Sequence, residues 1–244
     1  MAERVSVIDA SQRTAARVAG FAYLIPVAFV VYANFGLRGS LFVTGDMAET
    51  VRRIAAAAPL FRLSVVFDVV YSVGVVVLLS ALYVVLGPVN RYLALVATLL
   101  KLVYAVTAML MVLSYFAIVR LASNPAYVQE FGKEPLQALV RLGTSDTWQE
   151  YYVGLAFWAL SATVIGWLWL KSRYIPKALA VFGLVSAAWC AVCTFVYLAS
   201  PDFSHVVNLW WFDTPLAVFD ITVSFWLLFK GLGGVAAPVE SVAR

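Results

Sequence analysis

Six apolar stretches, at residues 18–36, 63–86, 93–119, 151–170, 178–199 and 210–229, constrain this chain more than anything else in it. Each is close to the ~20 residues that cross about 30 Å of hydrocarbon at 1.5 Å per residue. Bilayer lipid offers no partner to a backbone N–H or C=O, so each stretch is expected to be a helix. A barrel is excluded, because the runs are continuous rather than alternating. The fold class is therefore all-α, an integral membrane bundle of six transmembrane helices, or seven if an outer loop helix inserts. The lipid bilayer is the one partner this reading requires.

Composition agrees. The chain is 64% hydrophobic and 12% charged, where soluble domains carry roughly 25% charged residues. A formal charge of +4 spread along the chain is too little for a nucleic-acid face. One histidine cannot build a His-rich metal site. Cys190 and Cys193 stand three apart on one helix face, a spacing unsuited to a disulfide, and read as packing residues. No nucleotide loop, paired metal-binding His motif or nucleophile elbow is present, so no cofactor and no metal are expected.

The first apolar run follows Arg13 and Arg17 and could be a cleaved leader. It is long for that, and Glu3 and Asp9 precede it, so an uncleaved helix is the reading taken. Loop charge orients the bundle. The 171–177 connection holds Lys171, Arg173 and Lys177, and the 200–209 connection holds no Lys or Arg. Basic residues stay on the cytoplasmic side, which puts both termini inside, in a bacterial or archaeal inner membrane. The expected organisation is a flexible arm over 1–12, one transmembrane domain over 13–231 and a tail over 232–244. Two outer connections are long. Asp46 caps a short helix at 47–58 stopped by Pro59, and the 120–150 segment holds an Asn124-Pro125 turn and an amphipathic piece at 135–142.

Ionised groups near the bilayer centre cost about 2.5–3.5 kcal/mol each even on lenient scales, so Asp68, Lys101 and Asp220 need an explanation. Pro215 is read as the start of the last helix proper, which raises Asp220 to the depth of Asp68. The two carboxyls are then expected to share one pocket in the outer half, with Arg62 as their cation. Either the cluster is structural, or it is a proton donor, base or cation ligand. Lys101 is read as snorkelling to the inner surface rather than pairing with Asp68. His205 and Asp213 are placed at the pocket rim, although a solvated loop histidine is the commoner case. Trp158, Trp189 and Trp226 are core or pocket wall.

Several segments, taken in order, carry a family resemblance: Gly45-Asp46-Met47-Ala48-Glu49-Thr50, Phe61-Arg62-Leu63 with Asp68, Leu82 to Leu86 with Pro88-Val89-Asn90-Arg91, Lys171 to Pro176, and Trp226 to Gly231. The chain resembles a large prokaryotic family of polytopic membrane proteins catalogued as domain of unknown function number forty-three eighty-six. The resemblance implies a six- or seven-helix membrane fold and no reaction. It adds Asp46, Thr50, Arg62, Asp68, Tyr83, Pro88, Asn90, Arg91, Ser172 and Pro176 as matching positions. Asp220 stands where the family often has Glu, which keeps the acid and shortens its reach.

Two functions fit. One is an intramembrane enzyme doing acid-base chemistry on a lipophilic, lipid-like or isoprenoid substrate, with Asp68, Asp220 and Arg62 as its chemical groups, by analogy with compact membrane terpene cyclases. The other is a proton- or cation-coupled carrier, sensor or accessory subunit.

Overall fold

The computed structural model describes residues 7–233 and 235–236. Eight α-helices occur among them: α1 (Ala10–Val31), α2 (Met47–Ala56), α3 (Ala58–Leu86), α4 (Arg91–Ser123), α5 (Pro125–Phe131), α6 (Lys133–Ser172), α7 (Lys177–Ala199) and α8 (Trp210–Phe229). α1 runs on without a break into a wider π-helical segment, Tyr32–Arg38. Six helices are long and apolar enough to cross a membrane: α1 with its extension, α3, α4, α6, α7 and α8. Large apolar side chains face outward all along them, Phe21, Leu113 and Val185 each being more than half exposed. Such a surface suits lipid as solvent, and the chain is an all-helical multi-pass membrane protein.

The differences from expectation lie at helix ends. α6 is one helix of 40 residues, where a loop was expected up to residue 150. At 1.5 Å per residue it is about 60 Å long, so its polar N-terminal part extends beyond the hydrocarbon. α2 ends at Ala56, ahead of Pro59 as expected, and a new helix follows at once: Pro59 occupies the first turn of α3, where its missing N–H costs nothing. α8 starts at Trp210 and carries Pro215 inside it. The Trp211 carbonyl, which a residue at 215 would bond, instead accepts from the Trp189 indole on α7 at 2.7 Å. The helix therefore survives its proline, and Asp220 lies in the middle of α8 rather than in its first turns.

Caps explain most of the other ends. Asp46 accepts from the Glu49 amide at 2.9 Å to open α2, and Asn90 accepts from Leu93 at 3.0 Å to open α4. Asn124 opens α5 by accepting from Ala126 at 3.1 Å. Within the expected arm and tail, Val7–Ile8 (β1) pairs in parallel with Val235–Ala236 (β2). Buried Gln12 donates to the Val85 carbonyl and to the Tyr174 hydroxyl. Residues 1–6 and 237–244 of the expected arm and tail lie outside the described residues.

The helices divide into two compact units. The first comprises residues 1–24, 77–102 and 156–244. The second comprises 25–76 and 103–155. In the second, Phe61, Val65, Val112, Ile118 and Val140 form the core beneath α2. In the first, α7 lies close on α8, because a side chain at Gly183 would occupy the space of the Phe219 ring. Small residues allow such approach where apolar burial alone gives membrane helices no preference for one another. A buried hydrogen bond ties α6 to α4, from Ser161 Oγ to the Ala97 carbonyl at 2.7 Å.

Candidate functional site: two buried charged clusters

The second unit holds a closed ion pair. Arg38, at the end of the π-helical segment and 2% exposed, grips Asp68 of α3 with both terminal nitrogens. Nη1 contacts Oδ2, and Nη2 donates to Oδ1 at 3.0 Å. Nη2 also donates to Asn34 Oδ1 at 2.9 Å, one turn back along the same segment. The guanidinium lies 4.1 Å above the centre of the Tyr115 ring on α4. Thr147 of α6, whose Oγ1 donates to the Thr144 carbonyl at 2.8 Å, lies near Tyr115. Next to it, Ser114 Oγ donates to Glu150 Oε1 at 2.7 Å, while Glu150 Oε2 is enclosed without a hydrogen-bond partner among the described residues. Two parallel N–H···O contacts, a ring beneath the guanidinium and a second acceptor engage both terminal nitrogens of Arg38, while its Nε is buried without a hydrogen-bond partner among the described residues.

The first unit holds an open pair. Lys101 of α4 is 4% exposed, and Asp220 of α8 is the carboxylate that acts on it electrostatically. They do not touch: among the described residues the direct ion pairs are Arg38–Asp68 and Glu49 with Arg52 and Arg53. Tyr23 of α1 and Trp158 of α6 hydrogen-bond the Asp220 carboxylate, yet its Oδ2 is enclosed and lacks a partner within hydrogen-bond distance. The Lys101 ammonium stands 5.8 Å from the centre of the Trp158 ring. Cys190 of α7 is buried within electrostatic reach of both Asp213 and Asp220. A cavity of about 30 Å³ opens at this place, lined by Tyr23, Lys101, Asp220 and Ser224 with apolar neighbours. That is room for one or two waters with several polar partners.

The expected residues thus separate. Asp68 and Asp220 belong to different units, each with a cation of its own. Arg62 is exposed and is not the partner of Asp68. Lys101 does not snorkel. A side chain that leans toward the helix N-terminus reaches water only if nothing nearer holds it, and here α8 supplies a carboxylate in the interior. His205 ends an exposed single-turn 3₁₀ helix, Pro201–His205. Asp213 sits half-buried in the first turn of α8, where a negative charge suits the helix dipole. Trp226 carries a buried indole N–H with no partner among the described residues. Sequence reasoning missed Arg38, Asn34, Tyr115 and Tyr23, while Trp158, read as core or pocket wall, does stand at the acid. Among the described residues no group of three His, Cys, Asp or Glu comes together as metal ligands would.

A family model described as a domain of unknown function, DUF4386, matches residues 18–231. The chain belongs to this family. No curated protein and no solved structure matches it. Within this DUF4386 chain, several positions that carried the resemblance hold helix ends: Asp46 and Asn90 are caps, and Ser172 Oγ accepts from the Tyr174 amide at 3.3 Å. Asp68 differs, since its side chain closes no turn and holds Arg38.

Proposed function

We propose that this DUF4386 protein binds a proton within the bilayer at Asp220, next to Lys101, and works as a small proton- or cation-coupled carrier, sensor or accessory subunit. The observation that carries this is the open pair itself: two oppositely charged groups, buried and not in contact, with a water-sized cavity between their helices. Desolvating two charges costs more than an imperfect pairing returns, so a separated buried pair is a poor structural device. Proton uptake at Asp220 takes the pair from net zero to +1 and releases the hold on Lys101. That is the kind of local charge change that biases a two-state membrane protein.

An intramembrane enzyme acting on a lipid-like or isoprenoid substrate is the second reading, favoured by the Tyr23 and Trp158 side chains at the acid. It needs a pocket of about 300 Å³ or more, against about 30 Å³ here. The basic 171–177 loop supports cytoplasmic termini in a bacterial or archaeal inner membrane, and the β1–β2 pairing supports both ends on one side.

The test is infrared difference spectroscopy of protein in lipid nanodiscs across roughly pH 4 to 9, a window wide enough for a shifted carboxyl. A protonated-carboxyl band should titrate in the wild type, vanish in Asp220→Asn and move in Lys101→Met. A wild type and an Asp220→Asn variant with superimposable titrations would end the proposal.

A further inference from the structure

A second, smaller cavity of about 10 Å³ lies beside the one at Asp220, with Tyr83, Ala94, Ala97 and Thr98 on its walls. The two share Leu82, Lys101 and Ile165. Lys101 thus stands between two voids, the larger with room for one or two waters and the smaller about the size of one.

The position of the lining residues along their helices gives the voids a direction. On α3 they run toward its last residue, Leu86, and on α4 back toward its first turn. On α6 they reach Trp169, near the helix end, and on α8 they reach Leu227. On α1 they are Ala19 and Tyr23, in the part that follows the N-terminal start. Six successive spans alternate in direction, so all these helix ends lie at one membrane face, which carries the α3–α4 turn and the β1–β2 pair. Lys101 is ten residues past Arg91 and Asp220 nine before Phe229. At 1.5 Å per residue each stands about 14 or 15 Å from that face.

Polar groups punctuate walls that are otherwise apolar. Ala94, Ala97, Thr98 and Lys101 recur at helical spacing on one face of α4, and three of them are small. Thr98 Oγ1 donates to the Ala94 carbonyl at 2.8 Å, which leaves its lone pairs to accept from a water. Tyr83 lines the opposite wall, on α3. Ser224 Oγ, bonded to the Asp220 carbonyl at 2.7 Å, plays the part of Thr98 in the larger void.

We infer that protons reach the Lys101 and Asp220 pair along a short water path past Tyr83 and Thr98, opening at the face that carries the α3–α4 turn and the β1–β2 pair. The inference rests on the proton-binding reading and adds its sidedness. A proton entering there passes from water to water along the path and ends on Asp220 Oδ2, and a proton leaving retraces it. No bond other than O–H or N–H is made or broken.

Two experiments test it. In the first, Thr98→Cys is made in a Cys190→Ala, Cys193→Ala background and probed with a small, charged, membrane-impermeant thiol reagent applied to either face of oriented vesicles. Arg91→Cys in the same background marks the face. Thr98→Cys should react only from the face where Arg91→Cys reacts. Reaction from the other face, or none while Arg91→Cys is labelled, overturns the path. In the second, Ala97→Leu fills the passage while leaving every polar group in place. Hydrogen–deuterium exchange of the Asp220 carboxyl band should slow by about tenfold or more, as a raised barrier of about 1.4 kcal/mol requires. An unchanged exchange rate overturns the path and leaves the proton site standing. A wild type with no Asp220 band removes both.

Discussion

Arg38–Asp68 and Lys101–Asp220 are both buried charge pairs in apolar helices, and they are built on opposite plans. The first has a planar guanidinium locked on a carboxylate through both terminal nitrogens, with Asn34 and the Tyr115 ring beside it and only Nε left without a hydrogen bond among the described residues. The second has a flexible ammonium held at a distance beside water-sized voids. A guanidinium keeps its proton at any physiological pH and fits a carboxylate in two places; an ammonium gives up its proton far more readily when buried. Choice of cation and closeness of contact together divide the pairs into one that fixes structure and one suited to moving protons.

The sharpest way to break this division is Arg38→Met. It leaves Asp68 buried with no cation, and removing one partner of a buried pair costs about 3 kcal/mol or more. A large fall in melting temperature in detergent is expected, with much of it recovered in Arg38→Met, Asp68→Leu. Equal losses in the single and double variants would mean that the guanidinium acts through packing alone. Next in size, Asn34→Ala removes one neutral acceptor from a charged donor, and a fall equivalent to about 1.5 kcal/mol is expected by the same assay.

Asp220→Asn should cost less than Arg38→Met, about 1 kcal/mol, because Lys101 is not in contact with the acid and its long stem can turn toward water. A loss as large as that of Arg38→Met would put the two pairs in one class. Asp220→Glu has the opposite sign. The added methylene has space in the adjoining cavity, the carboxylate comes nearer Lys101, and a gain of a few tenths of a kcal/mol is expected. The smallest effect concerns a pair outside the membrane. Arg52 and Arg53 hydrogen-bond Glu49 on α2 and lower its carboxyl to about 2. A depressed folded-state value stabilises above the ordinary carboxylate range and is lost as pH falls toward that lower value. Glu49→Gln should therefore match the wild type in protease resistance of α2 near pH 2 and fall slightly below it above about pH 4.5.

The spans were legible because an apolar run of 20 residues has few other meanings. The extra length of α6 was not, because its first turns, with Lys133, Glu134, Arg141 and Asp146, carry no membrane signal. Arg38 was missed for a related reason: it follows the first apolar run immediately and looks like the opening of a loop. The spacing of Asn34 and Arg38, four residues apart, was the available clue that the helix continued. Lys101 was misjudged because one helix at a time shows where a side chain leans and not what another helix offers it. The depth of Asp220 depended on Pro215, and whether a proline ends a helix is decided by whether some donor takes the freed carbonyl. The donor, Trp189, lies 22 residues from Trp211 in the chain. Asp68 and Asp220 stood out as intramembrane acids on cost alone, which is why both were found without their partners.

Pairing of Val7–Ile8 with Val235–Ala236 makes the polypeptide nearly a loop. A linker of a few residues could therefore join Ala236 to Val7, with new ends cut at the exposed 201–205 segment. A permuted version would keep every membrane crossing, change which crossing is made first and move its ends to the opposite face.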